Sequence, residues 1–145
     1  AGLDPIMAAA EVESGDQLIY RNVDFNTYGF LNATEDFIEN HADLAQAVVD
    51  AYEQAREWAL ENPDETAALL AEVAGIDIEV AKTVITERSN LDVSGIPGDD
   101  QVAVLEKIAP VLVDSGDVQG GEDSVDKALD SIVNATFAEK AVGGE

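Results

Sequence analysis

The strongest restriction on the fold comes from the stretch His41 to Gly75, HADLAQAVVDAYEQAREWALENPDETAALLAEVAG. Leu44, Val48, Ala51, Tyr52, Ala55, Trp58 and Ala59 recur at spacings of three and four, which puts them on one stripe of a helix. Asp50, Glu53, Glu57 and Glu61 fall on the other side, so the stripe is expected to face a core and these acids to face solvent. Asn62-Pro63-Asp64-Glu65 then restarts the chain. Asn62 suits an N-cap, Pro63 the first helical position, and Glu65 closes a capping box. Gly75 is the natural stop of the second helix. Nothing on these two helices carries chemistry.

At 145 residues and 46% hydrophobic content, the chain is expected to form one domain with a packed core. Its 31 acids stand against four lysines and three arginines, a net charge of -24. Nucleic acid is thereby excluded as a partner, because phosphate binding needs clustered basic residues. Anionic membrane surfaces are excluded on the same ground. An acidic excess spread this evenly fits solubility, or a salty environment where repulsion is screened. There is no cysteine, hence no disulfide framework and no thiolate metal site. No apolar run has the length of a membrane span, and no stretch reads as a signal peptide. The start, Ala-Gly-Leu-Asp-Pro, lacks a methionine and drops directly into a helix signal, which suggests a processed product or a fragment of something longer.

Asp4-Pro5 opens a helix through Ile6, Met7 and Ala8-Ala9-Ala10 to about Ser14, ended by Gly15. Gln17 to Val23, with Leu18, Ile19 and Tyr20, reads as a strand. Thr27 to Leu31, rich in aromatic residues, reads as a second. Thr34 caps a short helix whose Phe37 and Ile38 turn inward. After the central pair, Asp77 caps a helix from Ile78 to about Arg88, with Ile78, Ala81, Val84 and Ile85 on one face. Ser89 to Gly98 is a polar loop. Asp99 starts a helix through Val102, Leu105, Ile108, Ala109 and Leu112, in which Pro110 should produce a kink or an early end. Ser124 to about Phe137 is a last amphipathic helix, and residues 138–145 form a frayed tail. The expected fold class is α/β, helix-rich, with two short strands and about seven helices. Two strands seldom make a stable sheet alone, so they call for partners this chain does not supply.

Sites for chemistry are sparse. His41, the single histidine, reads as a cap-region residue, since one imidazole without further ligands does not hold a metal. Asp99-Asp100 and Glu122-Asp123 lack the spacing of a calcium loop. Gly120-Gly121 lacks the flanks of a phosphate loop. No serine sits in a nucleophile elbow. Tyr20, Tyr28 and Phe30 read either as core or as the aromatic wall of a ligand cleft. Arg88 reads either as a cation stabilising a helix C-terminus or as an anion-binding group.

The order of these signals resembles a known family. Leu3-Asp4-Pro5, the alanine-rich helix with Glu11, Phe30 to Phe37, His41-Ala42-Asp43-Leu44, Trp58 with Asn62-Pro63-Asp64-Glu65, Gly75-Ile76-Asp77 and Glu87-Arg88-Ser89 are similar, in sequence order, to segments of substrate-binding proteins of ABC importers for aliphatic sulfonates, taurine and nitrate. The resemblance covers roughly residues 3–135. It implies a type II periplasmic binding fold, two α/β lobes around a ligand cleft, of which residues 1–137 are the C-terminal portion. Leu3 departs from the family's usual aromatic residue at its position.

On this reading the protein is an extracytoplasmic solute-binding component of an ABC importer, in the periplasm or on the outer face of the cytoplasmic membrane. It captures a small organic anion such as an aliphatic sulfonate, with ligand contacts from Asp4, Asn26, Tyr28 and Arg88. The implied partners are a membrane permease and a missing N-terminal half or swapped protomer. No cofactor and no metal are implied. A second reading, of a different class, is a free-standing acidic helical interaction module without catalytic activity. A third, an enzyme, follows from a branch of the same fold family that acts in thiamine-pyrimidine synthesis, but no nucleophile–base pair supports it here.

Overall fold

The computed structural model describes residues 3–22, 29–118 and 120–143. Short-range polar chemistry sets most helix ends. In front of α1 (Ile6–Ser14), the Asp4 carboxylate accepts from the Ala8 N–H at 3.1 Å, and Gly15 closes the helix at φ 70°. Thr34 caps α2 (Glu35–Asn40) by accepting from the Phe37 N–H. Asp77 does the same for α5 (Ile78–Thr83), accepting from the Glu79 N–H at 2.8 Å. A capping oxygen satisfies one of the orphan N–H groups of a helix start, which is why these residue types stand there.

Between α3 (Ala42–Glu61) and α4 (Pro63–Ala74) the expected capping box does not form. Pro63 is the first helical residue as expected, but the Asn62 side chain turns back and donates to the Trp58 carbonyl at 2.8 Å. That bond gives the Trp58 carbonyl, which already accepts from the Asn62 backbone N–H, a second donor, and leaves α4 without a side-chain cap. Helix α5 runs on into one π-helical turn, Val84–Arg88. Helix α6 (Asp99–Ser115) passes through Pro110 and ends only at Gly116. One missing N–H removes a single rung, and the turn beyond it keeps its own hydrogen bonds. The helix expected over 124–137 is two: α7 (Gly121–Leu129) and α8 (Thr136–Gly143). Asp130, Ser131 and Asn134 interrupt it, and Asn134 accepts from the Thr136 N–H to start α8.

No strand occurs among the described residues, which hold eight α-helices. The α/β fold class is therefore corrected to an all-helical one. Residues 17–22 and 29–31 are irregular, while 23–28 lie outside the described residues. A strand needs a ladder partner for its N–H and C=O groups, and an isolated pair is marginal in water. Leu18, Ile19, Tyr20, Phe30 and Leu31 are accordingly exposed, with no sheet face to cover.

The chain divides into two compact units, Ala1–Phe25 with Gln54–Val93 and Asn26–Glu53 with Ser94–Glu145. In the first, α5 lies against α1 and α4, and Ala8, Ala67, Val80 and Ala81 are fully buried. The three arginines of the chain all serve this unit. Arg21 donates to the Glu87 carbonyl, Arg56 donates to the Leu91 carbonyl at 2.8 Å, and Arg88 pairs with Glu11. Together they fasten the π turn and the segment after it. In the second unit α6 and α7 lie side by side. The Gln46 side chain donates to the Phe137 carbonyl at 2.9 Å, which ties α3 to the start of α8.

The buried apolar core is small. Among the described residues it comprises Ala8, Ala45, Ala67, Val80, Ala81 and Ala109. The accessible surface of 10603 Å² exceeds the roughly 8,600 Å² that two separate compact globules sharing this mass would expose, whatever their arrangement. Much apolar side-chain surface is left to water.

Candidate functional site

Of the four residues assigned to a ligand site, Asn26 and Tyr28 lie outside the described residues. Asp4 is engaged as the first acceptor of α1. Arg88 ends the π turn with its side chain only 8% exposed, and its guanidinium is paired with the Glu11 carboxylate. Its Nε is buried without a partner. Asp4 and Arg88 thus each have a partner elsewhere and do not bond to one another. Arg88 stands in the last turn of the π segment, where a cation is favoured, and its pairing with Glu11 links that turn to α1.

His41 follows α2 as its C-cap residue, with its ring 5.4 Å from that of Phe37. Asp99 and Asp100 begin α6, and Glu122 and Asp123 begin α7. Both pairs sit where a carboxylate is favoured by the helix dipole. Among the described residues no three His, Cys, Asp or Glu side chains are grouped so as to hold a metal ion. No helix among them is long and apolar enough to cross a membrane.

The feature that stands out is the orientation of α3. In its first half, Leu44, Ala47, Val48, Ala51 and Tyr52 occupy one face at spacings of three and four, and all are exposed. Leu44 keeps 52% and Tyr52 64% of their surface in water. The opposite face is turned inward: Ala45 and Glu53 are buried, with Gln46, Val49 and Asp50 half-buried. Glu53, expected to face solvent, is only 9% exposed. The helix therefore sits with its apolar stripe outward and its polar stripe inward.

Specific polar contacts fix it that way. The Gln46 amide donates both to the Asp50 carboxylate at 2.8 Å and to the Phe137 carbonyl, so the polar side is the one anchored. Gly95 leaves room for the Glu53 carboxylate, since a Cβ there would lie 3.2 Å from Oε2. Periodicity alone identified the stripe but not the direction it faces. The Gln46–Asp50 pair, one turn apart, was the sequence signal that the other face had polar partners to satisfy.

The outward stripe runs nine residues, Leu44 to Tyr52, about 12 Å of helix axis. It offers two bulky aliphatic groups and an aromatic ring on a small-residue ground. Such a surface does no bond chemistry; it buries against another apolar surface. No protein-family model matches this chain, and neither does any curated protein or solved structure.

Proposed function

We propose that this chain is a non-catalytic, acidic helical interaction module, which docks a basic amphipathic helix on the outward face of α3. One observation carries the reading: Leu44, Val48 and Tyr52 face water on a helix whose polar side is anchored inside. Three apolar side chains at i, i+4 and i+8 are the pattern by which one helix seats another. The net charge of -24 selects the partner's sign. A second copy of this chain brings the same charge and is repelled, whereas a Lys- and Arg-rich helix is attracted at long range.

The solute-binding reading raised by the resemblance has less support. It needs strand ends bordering a cleft, and no strand occurs among the described residues. Its anion-binding candidate, Arg88, is occupied by Glu11.

Fluorescence anisotropy with a labelled Lys-rich amphipathic peptide tests the proposal. The expected result is micromolar affinity, weakened about tenfold in the Leu44→Gln/Val48→Gln variant, a loss of roughly 1.4 kcal/mol, with helicity unchanged. A scrambled peptide of equal charge should bind much more weakly. Equal binding of the scrambled peptide, or a dimer on sedimentation that Leu44→Gln/Val48→Gln dissolves, would overturn it. So would a thermal shift produced by an aliphatic sulfonate in the absence of any peptide affinity.

A further inference from the structure

Helices α6 and α7 enclose an open groove of about 370 Å³ in the second unit. Its floor is apolar: Ala109, Pro110 and Val113 from α6, Val125 and Leu129 from α7. Its rim is anionic: Glu106 and Asp114 on one side, Glu122, Asp126 and Asp130 on the other. Both helices present the same spacing to it, residues 106, 109, 110, 113 and 114 against 122, 125, 126, 129 and 130. The lysines of these two helices, Lys107 and Lys127, do not line it. The groove thus combines apolar surface with carboxylates alone, and its occupant must be both.

We propose that this groove binds a linear aliphatic polyamine. The methylene spacers lie along Val113, Val125 and Leu129, and the ammonium groups meet the rim carboxylates. The two rim carboxylates within α7, Glu122 and Asp126, are four residues apart, a rise of about 6 Å, close to the separation of two amines across a four-carbon spacer.

The groove falls in the range of small-ligand pockets, about 300–1,000 Å³. A single divalent cation needs its ligands gathered around one point, and among the described residues no such grouping exists. Charges strung out along a groove call for charges strung out along a chain. The site is distinct from the face of α3 and does not depend on what that face binds.

Isothermal titration of the full chain with spermidine tests this. The expected result is one site of micromolar affinity at moderate salt, weakened about tenfold by Glu122→Gln/Asp126→Asn, as expected for two lost charge-assisted contacts. Removing two carboxylates elsewhere, Glu13→Gln/Glu72→Gln, lowers the global charge equally and should leave the affinity nearly unchanged. An equal loss in both variants would mean that spermidine senses only the overall field, and would overturn the proposal. So would displacement of spermidine by magnesium at matched ionic strength no less effective than by another polyamine. A Val125→Gln variant that keeps circular dichroism and full affinity would overturn the role of the apolar floor.

Discussion

Arg88 and Glu11, 77 positions apart in the chain, form an ion pair that joins the end of the α5 segment to α1. The two partners are unequally buried, 8% exposed for Arg88 and 26% for Glu11. That inequality makes the pair asymmetric towards mutation. Glu11→Gln leaves a guanidinium buried without its counter-charge, the costly case, and should destabilise by about 3 kcal/mol. Arg88→Leu leaves a carboxylate that water reaches, and should cost about 1–2 kcal/mol. The double variant should cost less than the sum of the two, because the second change removes a group already stranded. Urea unfolding monitored by circular dichroism measures all three. A neutral Glu11→Gln would show that the pair holds nothing together.

What could be read from the sequence was what nearest neighbours decide. Thr34, Asp77, Gly15 and Gly75 act within one turn of themselves, and each ends or begins a helix where its chemistry places it. Asn62 had two such local choices, an N–H ahead or a carbonyl behind, and periodicity does not rank them. Residues 17–22 and 29–31 form no strand because their residue types favour strands only when a sheet is present to receive them. The face α3 turns inward depends on Phe137, 91 positions from Gln46, and the partner of Arg88 lies 77 positions off. The α6–α7 groove was hidden for another reason. A single helix over 124–137 would merge the face of α7, Val125 to Leu129, with residues that belong to a separate turn and to α8.

Salt should stabilise this protein. A charge of -24 on 145 residues repels itself in any compact state, and the small alanine-rich core offers little apolar burial to offset it. The screening length falls from about 10 Å at 0.1 M to about 3 Å at 1 M. Thermal melts across that range should show Tm rising, by about 3 °C for each kcal/mol gained by a chain of this size. Sodium and potassium chloride should act alike if screening is the cause. A flat or falling Tm would mean that the carboxylates are already compensated in the fold.

Tyr52 and Val80 separate the observed orientation of α3 from the one its periodicity suggested. Val80, fully buried between helices of the first unit, should cost about 2 kcal/mol when shortened to alanine, through lost burial and the space left behind. Tyr52, the larger side chain, stands in water, so Tyr52→Ser should change unfolding free energy by no more than about 0.5 kcal/mol. Were the stripe of α3 turned to a core, the same change would cost about 3 kcal/mol or more. Urea unfolding of the two variants therefore decides which way α3 faces. If Tyr52 proves nearly free for folding, its ring is available for another surface. Tyr52→Ser should then weaken the basic peptide while leaving the melting curve in place, a combination that a residue buried within the fold cannot give.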